Sequence, residues 1–223
     1  MHERNIVLNQ DELIKQRLAP LAQIIPPYLP QASYMAVNAL DVLGANRREC
    51  KKLYAELFNY RLRSFIRDTK DTERWVLTGG PDCIHLYDND THLNARVLKR
   101  FAFAGTVPPA GCTRTRATAW NQGMLGPFDE KISGLHPLED VTMIIVWTEV
   151  GGHFECVAYR PIGTGKFPKG APTSLAVPML ASVEEYDGIK VDRIEPPQRF
   201  IMPAHNAIVE TVPEQQVTRA AEK

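Results

Sequence analysis

A run of seven residues, Val141-Thr142-Met143-Ile144-Ile145-Val146-Trp147, constrains this chain more than any other segment. It is far shorter than the roughly 20 apolar residues a membrane span needs. Its continuous apolar character reads as a strand buried on both faces. Gly151-Gly152 follows, then a second strand over residues 154–160, and a glycine pair suits the tight turn of a twisted hairpin. The hairpin at 141–160 is the expected frame of an antiparallel sheet.

The segments ahead of it read as helical. Residues 10–25 place Leu13, Ile14, Leu18, Leu21, Ile24 and Ile25 at helical spacing, with Pro20 expected to kink the helix and Pro26-Pro27 to end it. Tyr28 to Pro30 then forms an extended connector, and residues 33–43 a second helix stopped by Gly44. The third helix, 46–67, shows the clearest amphipathic pattern. Cys50, Leu53, Tyr54, Leu57, Phe58, Leu62, Phe65 and Ile66 make one stripe, basic residues cover most of the rest, and Asn46 is the N-cap. Residues 75–78 and 83–87 read as two short strands. Asp90 or Thr91 is expected to cap another helix with the stripe Leu93, Val97, Leu98 and Phe101. A short helix is expected over 113–122, and short edge strands at 175–180, 189–191 and 200–202. Helices first, a mixed centre and strands last predict an α+β fold. One domain spans 1–202, helical to about residue 70 and sheet-rich from about 71, and an extended C-terminal arm follows at 203–223.

Overall the 26 basic and 26 acidic residues cancel, but not locally. Residues 47–116 hold 14 basic against 8 acidic side chains, net +6, whereas residues 117–223 hold 9 against 14, net −5. A dipolar surface of this kind suits an anionic partner or head-to-tail self-association. The cysteines Cys50, Cys83, Cys112 and Cys156 form no close pair, so no structural zinc site is expected and a reducing compartment is. No signal peptide or membrane span is read, and no cofactor is expected. The expected location is the cytoplasm, a host's cytoplasm or an assembled particle.

Three constellations could carry chemistry. Gly111-Cys112 opens the short helix at 113–122, where backbone N–H groups favour a thiolate, and His153 begins a strand after a glycine pair. Gly152-His153-Phe154-Glu155-Cys156-Val157 resembles the histidine strand of papain-like hydrolases. The resemblance implies Cys112 as nucleophile and His153 as its base, although Thr113 and Arg114 follow the cysteine. Pro81-Asp82-Cys83 with His153-Phe154 is similar, more faintly, to the ovarian-tumour-type cysteine proteases. His85, Asp88, Asp90 and His92 are metal-ligand types close in sequence, but Asp88-Asn89-Asp90 is also what a turn and helix cap require, and no metal site is expected. Last, Arg47, Arg48, Lys51, Lys52, Arg96, Lys99, Arg100, Arg114 and Arg116 could neutralise phosphates.

The leading functional expectation is a non-catalytic protein-interaction or assembly subunit, such as a self-associating phage or viral structural protein. Its partner would be another protein or copies of itself. The alternatives are a thiol hydrolase using Cys112 and His153, and a nucleic-acid-binding protein using the basic 47–116 segment. No membrane partner is expected.

Overall fold

The computed structural model describes residues 10–69, 74–80, 83–100, 107–122, 138–139, 141–167, 169–189 and 191–193. The fold is α+β: two long N-terminal helices cover one face of a mixed seven-stranded sheet. The expected arm at 203–223 and the strand at 200–202 lie outside the described residues.

Helix α1 (Gln10–Val42) is one 33-residue helix, where the prolines predicted two helices and a connector. Each interior proline removes one hydrogen bond and costs about 3 kcal/mol. Gln16 and Gln23, whose carbonyls lose their partners to Pro20 and Pro27, face solvent and can be hydrated, whereas Ala22, which loses its partner to Pro26, is buried, and there the packing of the helix offsets the loss. The opposite face buries Ile14, Leu18, Leu21, Ile25, Leu29 and Leu40 completely or nearly so, each worth roughly 1.5–3 kcal/mol. Gly44 (φ +67°) ends α1 as expected, with Ala45 N–H donating back to the Leu40 carbonyl. Asn46 Oδ1 accepts from the N–H groups of Arg48 and Glu49. It caps a turn rather than the helix, and α2 (Lys51–Asp68) starts one turn later than predicted. Tyr54, Phe58, Leu62 and Ile66, spaced by four, form the buried stripe of α2.

The strands follow sequence order: β1 (Trp75–Thr78), β2 (Ile84–Asp88), β3 (Asn94–Lys99), β4 (Thr142–Val150), β5 (His153–Pro161), β6 (Thr173–Pro178) and β7 (Asp192–Arg193). Two expectations need correction. The region predicted as a helix after Thr91 is strand β3. Asp88 and Thr91 do form cap-like bonds, Thr91 Oγ1 to Asp88 Oδ2 at 2.6 Å and Asp90 N–H to Asp88 Oδ1 at 3.0 Å, but they close a strand-to-strand turn. The sheet is also not wholly antiparallel, because β3 and β4 pair in parallel, Asn94 opposite Thr142 through Lys99 opposite Trp147. Between them the chain crosses over and forms α3 (Arg114–Trp120), since parallel neighbours cannot be joined by a tight turn.

Strand β4 is buried on both faces, as its sequence predicts. Met143, Ile145 and Trp147 join the core under α1 and α2. Ile144 and Val146 join a second cluster with Val107, Ala110, Trp120 and Ala171. The chain's later part returns to α1. The buried Lys15 Nζ donates to the carbonyls of Asp187 and Ile189 at 2.9 and 2.7 Å, around the end of the short helix α4 (Val183–Asp187). Tyr186 OH donates to the Lys15 carbonyl at 2.8 Å. Lys15→Met keeps the stem and deletes the ammonium, so it is expected to lower stability by about 2 kcal/mol. The urea midpoint would show this, while Lys52→Met on the exposed face leaves the midpoint unchanged. Among the described residues no helix is long and apolar enough to cross a membrane.

Candidate anion-binding site

The parallel pair β3 and β4 brings Lys99 and Trp147 side by side near one end of the sheet, and β2 begins there with Ile84 opposite Val97. The β4–β5 hairpin runs on to its turn at Gly151-Gly152, leaving a notch over the shorter strands. Across it lie the first half of α2 on one side and Pro108, Pro109, Arg116 and Phe167 on the other, enclosing a cavity of about 940 Å³. The crevice beyond the carboxyl ends of parallel strands is a recurrent ligand position, and this volume is that of a small-ligand site.

Aromatic rings form much of the wall. Phe58 stacks on Trp147 with centroids 4.5 Å apart, and Tyr54 lies beside Phe58 at 6.1 Å. Phe167 is exposed at the mouth, on a turn that needs Gly165. That residue has φ +67°, and a Cβ there would collide with the Gly170 carbonyl. Tyr54 and Phe58 belong to the predicted core stripe and are buried, yet they also face the cavity.

Five of the nine basic candidates line the cavity: Arg47, Arg48, Lys51, Lys99 and Arg116. Arg47 donates to Glu149 Oε2 at 2.6 Å, and this bond holds its guanidinium above the usual range. Arg47 also lies 4.4 Å over the Tyr54 ring. None of Arg48, Lys51, Lys99 and Arg116 forms an ion pair with another described residue. Lys99 sits 4.9 Å from the Trp147 centroid and 5.5 Å from that of Tyr54. Partial burial and then repulsion from Arg47 push its ammonium below the usual lysine value, with Glu149 opposing. Cysteine 50 precedes α2 without a side-chain cap, so the positive end of that helix dipole adds to the potential beside Arg47, Arg48 and Lys51.

A second cation group lies on the opposite face of β3. Arg116 and Arg96 approach the Trp120 ring at 5.4 and 5.7 Å. Burial, then the neighbouring Arg116, lowers the Arg96 guanidinium, with Cys83 opposing. Arg96 Nε donates to His85 Nε2 at 2.6 Å, so the ring proton belongs on Nδ1. Cys83 and His85 line this wall and converge on Gly79, whose absent Cβ would stand 3.0 Å from Cys83 Sγ and 3.1 Å from His85 Nδ1.

The remaining candidates lie elsewhere. Lys52 and Arg114 are exposed on α2 and α3, and Arg100 is exposed just past β3, where its N–H bonds the Trp147 carbonyl. Cys112 is exposed in the turn before α3 and His153 is exposed at the start of β5. No hydrogen bond joins them, and neither lines the cavity. His85 and Asp88 point to opposite faces of β2, Asp88 is engaged by Thr91 and Asp90, and His92 packs on Tyr87. Among the described residues no three metal-ligand side chains converge. The thiol of Cys156 is pushed far up by complete burial. Trp147, Phe167, Pro108 and Pro109 belong to no motif in the sequence, yet they line the cavity. Their only sequence signal is aromatic and proline content near basic residues, and the grouping arises from the β3–β4 pairing. Comparison with protein-family models, with curated proteins and with solved structures gives no match to this chain.

Proposed function

We propose that the protein binds single-stranded nucleic acid, holding unpaired nucleotides in the cavity at the end of β3. One observation carries this reading: four cations that form no ion pair with a described carboxylate line the same aromatic-walled space. Phosphates complement the cations, and base faces complement the rings. A duplex turns its base faces inward and offers such a cavity only its backbone, whereas a single strand offers both groups. The assembly reading draws on the arm at 203–223 and on charge polarity, and nothing in the cavity favours it. The thiol hydrolase reading needs Cys112 in hydrogen-bond reach of His153.

The test is fluorescence anisotropy with a labelled ten-nucleotide oligo-dT and its duplex counterpart, each between 0.05 and 0.2 M salt. Neutralising four phosphates should give a slope of log K against log salt of about −3, and the single strand should bind more tightly than the duplex. Absent binding, a flat salt response or a preference for the duplex would overturn the proposal.

A further inference from the structure

The two cation groups at the cavity do not share a face of the sheet. Lys99 lies on the α1–α2 side with Val97, beside Tyr54 and Trp147. Arg96 and Leu98 lie on the other side, where Arg96 meets Arg116 at Trp120. Arg96 and Lys99 are three residues apart on β3, an odd interval that reverses the side-chain direction, and of the second group Arg116 is the cation that reaches the cavity. Between Arg96 and Lys99 the strand carries Val97 and Leu98, with Ile84 opposite Val97, and these apolar side chains form part of the cavity wall.

Like charges held this way create two separate sites of positive potential with a low-dielectric saddle between them. One phosphate can satisfy one group only. Adjacent phosphates of a polyphosphate chain share one bridging oxygen, too short a link to cross the apolar wall between the groups. Two phosphates with a nucleoside between them match the arrangement, the base and sugar lying over the saddle and the charges on either side.

Resting on the nucleic-acid reading, we infer that the ligand bridges the end of β3 with two phosphates separated by a nucleoside, so that the smallest unit recognised is a phosphorylated dinucleotide. Free nucleotides, including triphosphates, engage a single cation group.

The experiment is competition against the labelled oligo-dT on the intact protein, using pT, dTTP and the 5′-phosphorylated dinucleotide pTpT. Simple charge attraction favours dTTP. The bridging arrangement instead makes pTpT the better competitor by about tenfold or more, the worth of one further charge-assisted contact. Equal or better competition by dTTP would overturn the inference while leaving the nucleic-acid reading standing. Failure of oligo-dT itself to bind would sink that reading instead. A second readout comes from Lys99→Ala, Arg116→Ala and the double variant, with folding checked by thermal melting. Independent contacts should multiply, about tenfold each and about a hundredfold together. A double variant no weaker than the worse single variant would mean one shared phosphate and would also overturn the inference.

Discussion

Replacing Trp120 by alanine is expected to cost about 3–5 kcal/mol of stability, the usual range for deleting a buried tryptophan. The side chain is fully buried, and its second core holds Val107, Ala110, Ile144, Val146 and Ala171, with Leu98, Ala119 and Tyr159 packed against them at the rim. Such a set cannot close over the space that an indole leaves. Two further losses add to the void. Trp120 Nε1–H donates to the Pro108 carbonyl at 2.9 Å, so alanine also strands a buried acceptor. Arg96 and Arg116 both rest against the ring, and without it two like charges face each other across a gap. Urea denaturation reads the loss directly, and thermal unfolding should fall by about 10 °C for a chain of this size. Trp120→Phe keeps a ring for the cations but deletes the N–H, and an intermediate loss is expected. An alanine variant within about 1 kcal/mol of the wild type would mean that α3 and the 107–110 segment are not packed as described.

How much of this was legible in the sequence differs by element, for physical reasons. The β4–β5 hairpin could be read because residues 141–147 and the glycine pair act locally, and Gly151 and Gly152 do adopt φ +59° and +83°. Helix α2 could be read because its stripe repeats every four residues. The continuity of α1 could not, because a proline's cost depends on whether the carbonyl it strands meets water, and that depends on which face packs. Strand β3 reads as a helix in the sequence because the turn built by Asp88 and Thr91 uses the same side-chain chemistry as an N-cap. The site was legible as a set of cations but not as a place. Arg47 and Arg116 are far apart in the chain, and they line one cavity because the β3–β4 connection carries residues 107–122 to the side of it opposite α2. The spacing of Tyr54 and Phe58 reads as core, where both rings do belong, and the same buried rings also wall the cavity.

Lys99→Glu is expected to give the largest loss of binding of any single change at the cavity, about a hundredfold or more at low salt. It removes one charge-assisted contact, worth about 1.5–3 kcal/mol, and places an anion where the ligand's own charge must sit. The groups facing Lys99 are Arg47 ahead of α2, Tyr54 on α2, and Glu149 and Trp147 on β4. Of these only Glu149 is acidic, and Arg47 already holds it. The sign of the pH dependence follows. The Lys99 ammonium titrates below its ordinary value because it is partly buried and faces Arg47. In the window between that depressed value and about 10.5, the folded protein holds fewer protons than the unfolded chain. The Lys99 contribution to stability therefore rises with pH there and is lost as pH falls through the depressed value. A bound phosphate reverses the balance by favouring the charged form, so binding takes up a proton and affinity falls as pH rises through the free protein's Lys99 titration. Lys99→Arg supplies a cation that does not titrate in this range, and should retain affinity at pH values where the wild type has lost it. Anisotropy titrations of both proteins from pH 7 to 10 would show the curves separating toward the alkaline end. Curves that stay parallel through the Lys99 titration would mean that Lys99 does not touch the bound anion.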